Sequence, residues 1–161
     1  MQDPLRIGIL HSLRGPMAMC ETAMVDAALL AVEEINSRGG LLGRPLQAII
    51  ADGESDPAVF RNQARKLVRS DKAQALFGCW TSSARKAVRT VVEEEDSLLW
   101  YPVQYEGLEQ SPNIVYTANG HGKGALSSGA AGFMGKPYQL KELAVVVRRV
   151  LDEKEPGPRP E

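Results

Sequence analysis

The sequence predicts a three-layer, doubly wound α/β domain whose mostly parallel sheet carries six strands in the order 2-1-3-4-5-6. Three observations lead there. Short apolar runs alternate regularly with amphipathic segments at helical spacing, from Leu5 to Leu151. Glycine and proline punctuate the joints, as at Gly39-Gly40, Asp52-Gly53 and Asp56-Pro57. The strand candidates are continuous apolar runs rather than alternating ones, the pattern of strands covered on both faces.

Leu5-Arg6-Ile7-Gly8-Ile9-Leu10 is the first strand, and His11 to Pro16 a loop. The first helix spans Glu21 to Ser37, with Val25, Ala28, Leu29, Val32 and Ile35 on one face and Gly39-Gly40 ending it. Leu46 to Ala51 is the second strand. Asp56 then caps a second helix, which Pro57 opens and which ends near Arg69. Ala75-Leu76-Phe77-Gly78 is the third strand, and Thr81, Ser82 and Ser83 offer N-cap hydroxyls to a third helix reaching Glu95. Leu98 to Tyr101 opens a fourth strand and Ile114-Val115-Tyr116 forms a fifth. Between them, Pro102 to Pro112 has room for a turn but not for a full helix. The glycine-rich Asn119 to Gly124 lacks the spacing of a phosphate-binding loop and reads as a turn. A short helix at Ala125–Gly129, a strand at Gly132–Gly135 and a helix at Gln139–Leu151 close the fold, with Leu140, Leu143, Val146, Val147 and Val150 on the last helix's apolar face. The proline-rich tail, 153–161, is predicted to be disordered.

Composition excludes several functions. The formal net charge is −1, from 19 Lys and Arg against 20 Asp and Glu, so nothing favours nucleic acid or an anionic membrane as partner. No apolar run is long enough to span a bilayer. Cys20 and Cys79 lack zinc spacing and read as buried free thiols; a bridge between them would demand a close Cα–Cα approach. No metal, cofactor or catalytic residue is expected. His11 and His121 lie in predicted loops without a matched nucleophile, and Glu93-Glu94-Glu95 reads as a solvated helix end.

The chemistry gathers in Tyr101-Pro102-Val103-Gln104-Tyr105-Glu106-Gly107, whose polar aromatics either cap the sheet edge or line a small polar pocket. In doubly wound sheets ligands bind at the carboxyl ends of the strands, where this loop emerges beside His11-Ser12 and Trp80 to Ser83. Ser82 there would open a helix, where backbone N–H groups favour a carbonyl oxygen or an anion.

These residues also carry a resemblance. Glu33-Glu34-Ile35-Asn36, Gly43-Arg44-Pro45, Gly78-Cys79-Trp80-Thr81-Ser82, Arg85-Lys86-Ala87-Val88 and the Tyr101 loop with Ser111-Pro112-Asn113-Ile114-Val115-Tyr116 resemble one lobe of a type I periplasmic binding protein of the amide- and urea-binding kind. The resemblance implies that Trp80, Ser82, Tyr101, Gln104 and Tyr105 contribute to a pocket for a small amide or urea. It covers about residues 1–118. Such proteins work outside the inner membrane, whereas Met1-Gln2-Asp3-Pro4 leads straight into a strand, so the chain as written is expected to stay cytoplasmic.

From 119 to 152 the sequence is similar to the closing helix–strand–helix of a response-regulator receiver domain, a flavodoxin-like fold, through Leu126-Ser127-Ser128-Gly129-Ala130-Ala131-Gly132-Phe133 and Lys136-Pro137-Tyr138. A receiver's acidic residues are missing: Leu10-His11-Ser12 and Gly78-Cys79 stand in their places. The expectation is thus one domain over residues 1–155, an engineered chimeric scaffold with no native activity and no obligate partner. The alternative is a weak amide- or urea-binding module that keeps half of a pocket.

Overall fold

The computed structural model describes residues 3–105, 109, 111–119 and 132–136, and for 104, 118, 119 and 132–136 the backbone alone. The helices expected at Ala125–Gly129 and Gln139–Leu151, and the tail, lie outside the described residues.

The chain alternates as β1 (Leu5–His11), α1 (Ala18–Ser37), β2 (Leu46–Asp52), α2 (Pro57–Arg69), β3 (Ala75–Gly78), α3 (Ser82–Glu94), β4 (Leu99–Gln104), β5 (Ile114–Asn119) and β6 (Gly132–Lys136). All six strands form one sheet in the order β2-β1-β3-β4-β5-β6, every pairing parallel. The doubly wound α/β architecture read from the sequence is therefore the observed one. Helices α2 and α3 lie side by side on one face. Their Phe60, Ala64, Leu67, Val88, Val91 and Val92 meet Leu10, Ala51, Leu76, Leu99, Ile114 and Tyr116 from the sheet in the main core. Helix α1 crosses β1 and β2 on the other face, with Val25 buried and Ala28, Leu29, Val32 and Ile35 half-buried.

Local chemistry explains the boundaries. The Asp56 carboxylate accepts from the Ala58 and Val59 N–H groups at 2.7 and 3.2 Å, and Pro57, which has no N–H to satisfy, opens α2. Thr81 supplies the α3 cap, its Oγ1 accepting from Ala84 N at 3.2 Å. Helix α1 has no side-chain cap of its own and begins at Ala18, before the expected Glu21. Its Met17 N–H is taken by the Ser55 hydroxyl at 3.0 Å, a partner from the β2–α2 loop that no local signal announces. His11, expected in a loop, is the last residue of β1, held there by its register with Asp52. Cys20 was expected to be buried but is exposed, because it falls on the outer side of α1; Cys79 is buried, and both thiols are free.

The connection from β4 to β5 is short for a parallel pair, and β4 accommodates it with a bulge. Tyr101 pairs with Tyr116 and Gln104 with Thr117, so Pro102 and Val103 have no counterpart. Proline cannot donate to a ladder, and this slip lets it sit in a strand. The Thr117 hydroxyl fills the gap, lying 3.3 Å from the carbonyl of Tyr101 and 3.0 Å from that of Val103. Asn113 then fixes the return: its amide donates to Val92 O at 3.0 Å and Ser97 O at 2.7 Å, both buried, tying β5 to the end of α3. Val92 O also accepts the Ser97 N–H at 2.9 Å, so Asn113→Ala should strip the Ser97 carbonyl of its donor, take one of two from Val92 O, and cost about 1–2 kcal/mol. A urea midpoint that falls while the slope stays constant is the expected reading; an unchanged midpoint would contradict it.

Candidate functional site

The carboxyl ends of β1, β3, β4 and β5 lie along one edge of the sheet, and the connections leaving them form the candidate site. Gly78 sets the exit of β3. A Cβ there would sit 1.9 Å from the Leu10 carbonyl oxygen, so only glycine lets β3 run this close to β1. Cys79 follows in a left-handed conformation, φ 68°, its N–H donating to that same oxygen at 2.9 Å. This turn directs Trp80 and Thr81 over the edge and into α3.

The floor beneath is polar and closed. His11 and Glu21 are 2% and 1% exposed, and His11 Nδ1 lies 3.0 Å from Glu21 Oε2, which also accepts the Ser12 N–H at 2.9 Å. Burial alone would raise the Glu21 carboxyl, but the bonds from His11 and Ser12 together outweigh it and hold its pKa below the usual value. Cys79 is pushed well above the ordinary thiol range, chiefly by burial and further by the Glu21 charge, with Arg85 opposing. It is thus a poor nucleophile. Among the described residues no group of three or more His, Cys, Asp and Glu side chains could hold a metal ion.

The neighbouring loops are stapled together. Asp52 Oδ1 accepts from Leu13 N and Glu54 N at 2.9 and 2.8 Å, and its Oδ2 from Arg14 Nε at 2.7 Å. Ser55 N donates to the Ser12 hydroxyl at 3.0 Å, and the Ser55 hydroxyl donates to Arg14 O at 2.9 Å. The end of β2 is consequently rigid, and the Asp52 carboxylate is fully engaged.

Of the residues singled out from the sequence, Trp80, Ser82, Tyr101 and Tyr105 fall along this edge; the Gln104 backbone ends β4, and its side chain lies outside the described residues. Trp80 is half-buried, and Ser82 is the first residue of α3, half-buried behind the Thr81 cap. Tyr101 is 1% exposed, its hydroxyl donating to Trp80 O at 2.8 Å. Tyr105 is half-buried, and its hydroxyl accepts the Glu109 N–H at 2.6 Å and also bonds the Glu109 carbonyl. Both phenols are therefore engaged within the protein. Tyr101 is closed to a ligand, so of the two only the half-buried Tyr105 can offer ring surface.

Two buried polar pairs were not anticipated: His11 with Glu21, and the ion pair of Arg85 with Glu109, whose Nε and Oε2 lie 2.9 Å apart at 1% and 5% side-chain exposure. The Arg85 guanidinium stands 4.6 Å from the Tyr101 ring centroid and 5.3 Å from that of Tyr105. Both pairs had a sequence signal. Glu21 is one turn before the buried Val25, and Arg85 precedes Val88 and Val92 on the inward face of α3, so each places a charge where periodicity demands an apolar residue.

Comparison with known proteins supports a binding-protein lobe. A leucine-, isoleucine-, valine-, threonine- and alanine-binding protein of Pseudomonas aeruginosa is 30% identical over 100 residues, which are 62% of this chain and 26% of that protein. A leucine-specific-binding protein of Salmonella typhimurium is 28% identical over 102 residues, 63% of this chain and 27% of that protein. A branched-chain amino acid transporter substrate binding protein of Streptococcus pneumoniae, solved with isoleucine, superposes with a TM-score of 0.66 at 20% identity, covering 90% of this chain and 54% of that one. At that identity the likeness speaks to the fold alone. The chain thus spans about a quarter of these curated relatives and about half of that structure. These relatives bind solutes and are not enzymes by name, and they lend no support to a receiver-derived ending. The family described as periplasmic binding protein domain matches residues 5–127, past the junction expected near 118 and over well beyond half of the 161 residues, and the chain belongs to that family.

Proposed function

We propose that this chain is one lobe of a solute-binding protein for a membrane transporter, and that its carboxyl sheet edge is one wall of the ligand site. The observation that carries the reading is the convergence of Trp80, Ser82, Tyr101 and Tyr105 on that edge, over a closed polar floor. The ligand class is a small polar solute: an amino acid, as the relatives' names indicate, or the amide or urea that the Tyr101 loop suggests. Ring surface from Trp80 and Tyr105 would cover its apolar part, and the start of α3 at Ser82 would receive a carbonyl or carboxylate oxygen.

One wall gives little affinity. The best small ligands gain about 1.5 kcal/mol per heavy atom, so four-atom urea could reach roughly −6 kcal/mol only when fully enclosed. Half-solvated against a single lobe, it should bind more weakly than about 1 mM. Titration with leucine, acetamide and urea should shift NMR signals of residues 80–83 and 101–105 without saturating at low millimolar concentration. Trp100 is an internal control, since its ring stacks on Phe77 at 5.9 Å in the smaller core cluster with Leu98 and Val115. Shifts elsewhere, or none with any of the three, would overturn the reading.

A second reading is the engineered chimera whose residues 119–152 derive from a receiver. One observation favours it: the family match ends at 127 and leaves Lys136-Pro137-Tyr138 unmatched.

A further inference from the structure

We propose that Arg85 is the positioning residue of the ligand wall, a flat cation that sets the Tyr101 and Tyr105 rings and, through them, Trp80; the inference rests on reading this edge as a ligand wall. Arg85 is 1% exposed and so cannot itself reach a solute. It sits in the first turn of α3, just behind Thr81 and Ser82, and projects to where three segments meet.

Its contacts divide by segment. The guanidinium lies 4.6 Å from the Tyr101 centroid and 5.3 Å from the Tyr105 centroid, and Nε reaches Glu109 Oε2 at 2.9 Å. Each neighbour hands the placement on. Tyr101 donates to the Trp80 carbonyl at 2.8 Å, fixing the turn that carries the indole. Tyr105 is backed by Tyr116 of β5, ring centroids 4.0 Å apart, so it stands between the cation and a fully buried ring. The Tyr105 hydroxyl grips the Glu109 backbone, and the Glu109 carboxylate returns to Arg85, closing a loop through the β4–β5 connection.

The shape of the cation matters as much as its charge. A lysine could face Glu109, but a compact ammonium on a flexible stem cannot present flat faces to two rings at once. Lys86 is already within 3.7 Å of Glu109 Oε1, so compensating the carboxylate does not by itself require a buried arginine. The bulge leaves Pro102 and Val103 without counterparts on β5, while Tyr101 pairs with Tyr116 before it and the Tyr105 N–H donates to Thr117 O at 3.1 Å after it; Arg85 bridges the two rings across that interruption.

The test compares Arg85→Lys and Arg85→Met with the wild type, without ligand, using tyrosine-ring NMR signals, amide exchange and Trp80 indole signals. Both variants should move the Tyr101, Tyr105 and Trp80 signals and speed amide exchange in 101–105 by about tenfold or more, while β1 and β2 stay within about twofold. Tyrosine and Trp80 signals in Arg85→Lys that match the wild type would show that charge alone suffices, and would overturn the proposal. So would exchange that rises equally throughout the sheet, or unfolding of both variants, since either would make Arg85 a general stabiliser. Because no ligand is used, these results are separate from the solute titration: a wild type that binds nothing would sink the binding reading while leaving the placement of the rings measurable.

Discussion

Gly78→Ala should destabilise the protein by about 4 kcal/mol or more, enough to leave a domain of ordinary stability largely unfolded. The added Cβ would lie 1.9 Å from the Leu10 carbonyl oxygen and 2.7 Å from its carbon, both backbone atoms of the neighbouring strand. A flexible side chain would turn aside; a strand buried within the sheet cannot. Relief would require β1 and β3 to part where Leu10 pairs with Gly78, breaking the bond from Cys79 N to Leu10 O. It would also move Cys79, already in a left-handed conformation, and the Trp80 turn that follows. Gly39 is the control. It too has a positive φ, 99°, but a Cβ there meets nothing within 4 Å, so Gly39→Ala carries only backbone strain, about 1 kcal/mol. Urea unfolding of both variants decides the matter, and comparable losses would show that conformation, not the close approach, governs Gly78.

The contrast between these glycines marks what the sequence could and could not convey. Strand order followed from the regular alternation and from right-handed crossovers, which leave few topologies for such a chain. Asp56-Pro57 and Thr81 announced their helices because each cap bonds within three residues of itself. The start of α1 was different: its Met17 N–H is satisfied by Ser55, 38 positions away, and a cap supplied from afar leaves no local trace. His11 looked like loop for the same reason, since its place depends on Asp52 across the sheet and Glu21 above it. The aromatic wall was legible as a cluster of residue types, but the engagement of its hydroxyls was not. Which partner Tyr101 or Tyr105 finds depends on how the Pro102-Val103 bulge returns the chain to Glu109. Arg85 and Glu21 could have been flagged, because a lone charge on the inward face of an amphipathic helix must have a buried partner.

Glu21 leads to the second large effect. Glu21→Ala removes the acceptor of two buried donors, His11 Nδ1–H and the Ser12 N–H, and opens space under the β1 exit. At about 1–3 kcal/mol for each orphaned donor, the loss should reach about 3–5 kcal/mol. Glu21→Gln should recover most of it near neutral pH, because the amide oxygen still accepts the Ser12 N–H and the side-chain volume is kept. The two differ from the wild type in acid. The native carboxyl is held below its ordinary value, so its contribution is fully present above the usual carboxylate range and lost as pH falls through the lowered native value. The wild type should therefore lose stability more steeply than Glu21→Gln below about pH 4.5, while the glutamine variant is the less stable of the two near pH 7. Urea midpoints for the three proteins between about pH 3 and pH 7 test both halves of the argument. Parallel pH profiles for wild type and Glu21→Gln would mean that burial and the bonds from His11 and Ser12 cancel, so that folding leaves the carboxyl where the unfolded chain has it, and a wild type that gains on Glu21→Gln as pH falls from about 7 would mean that burial wins.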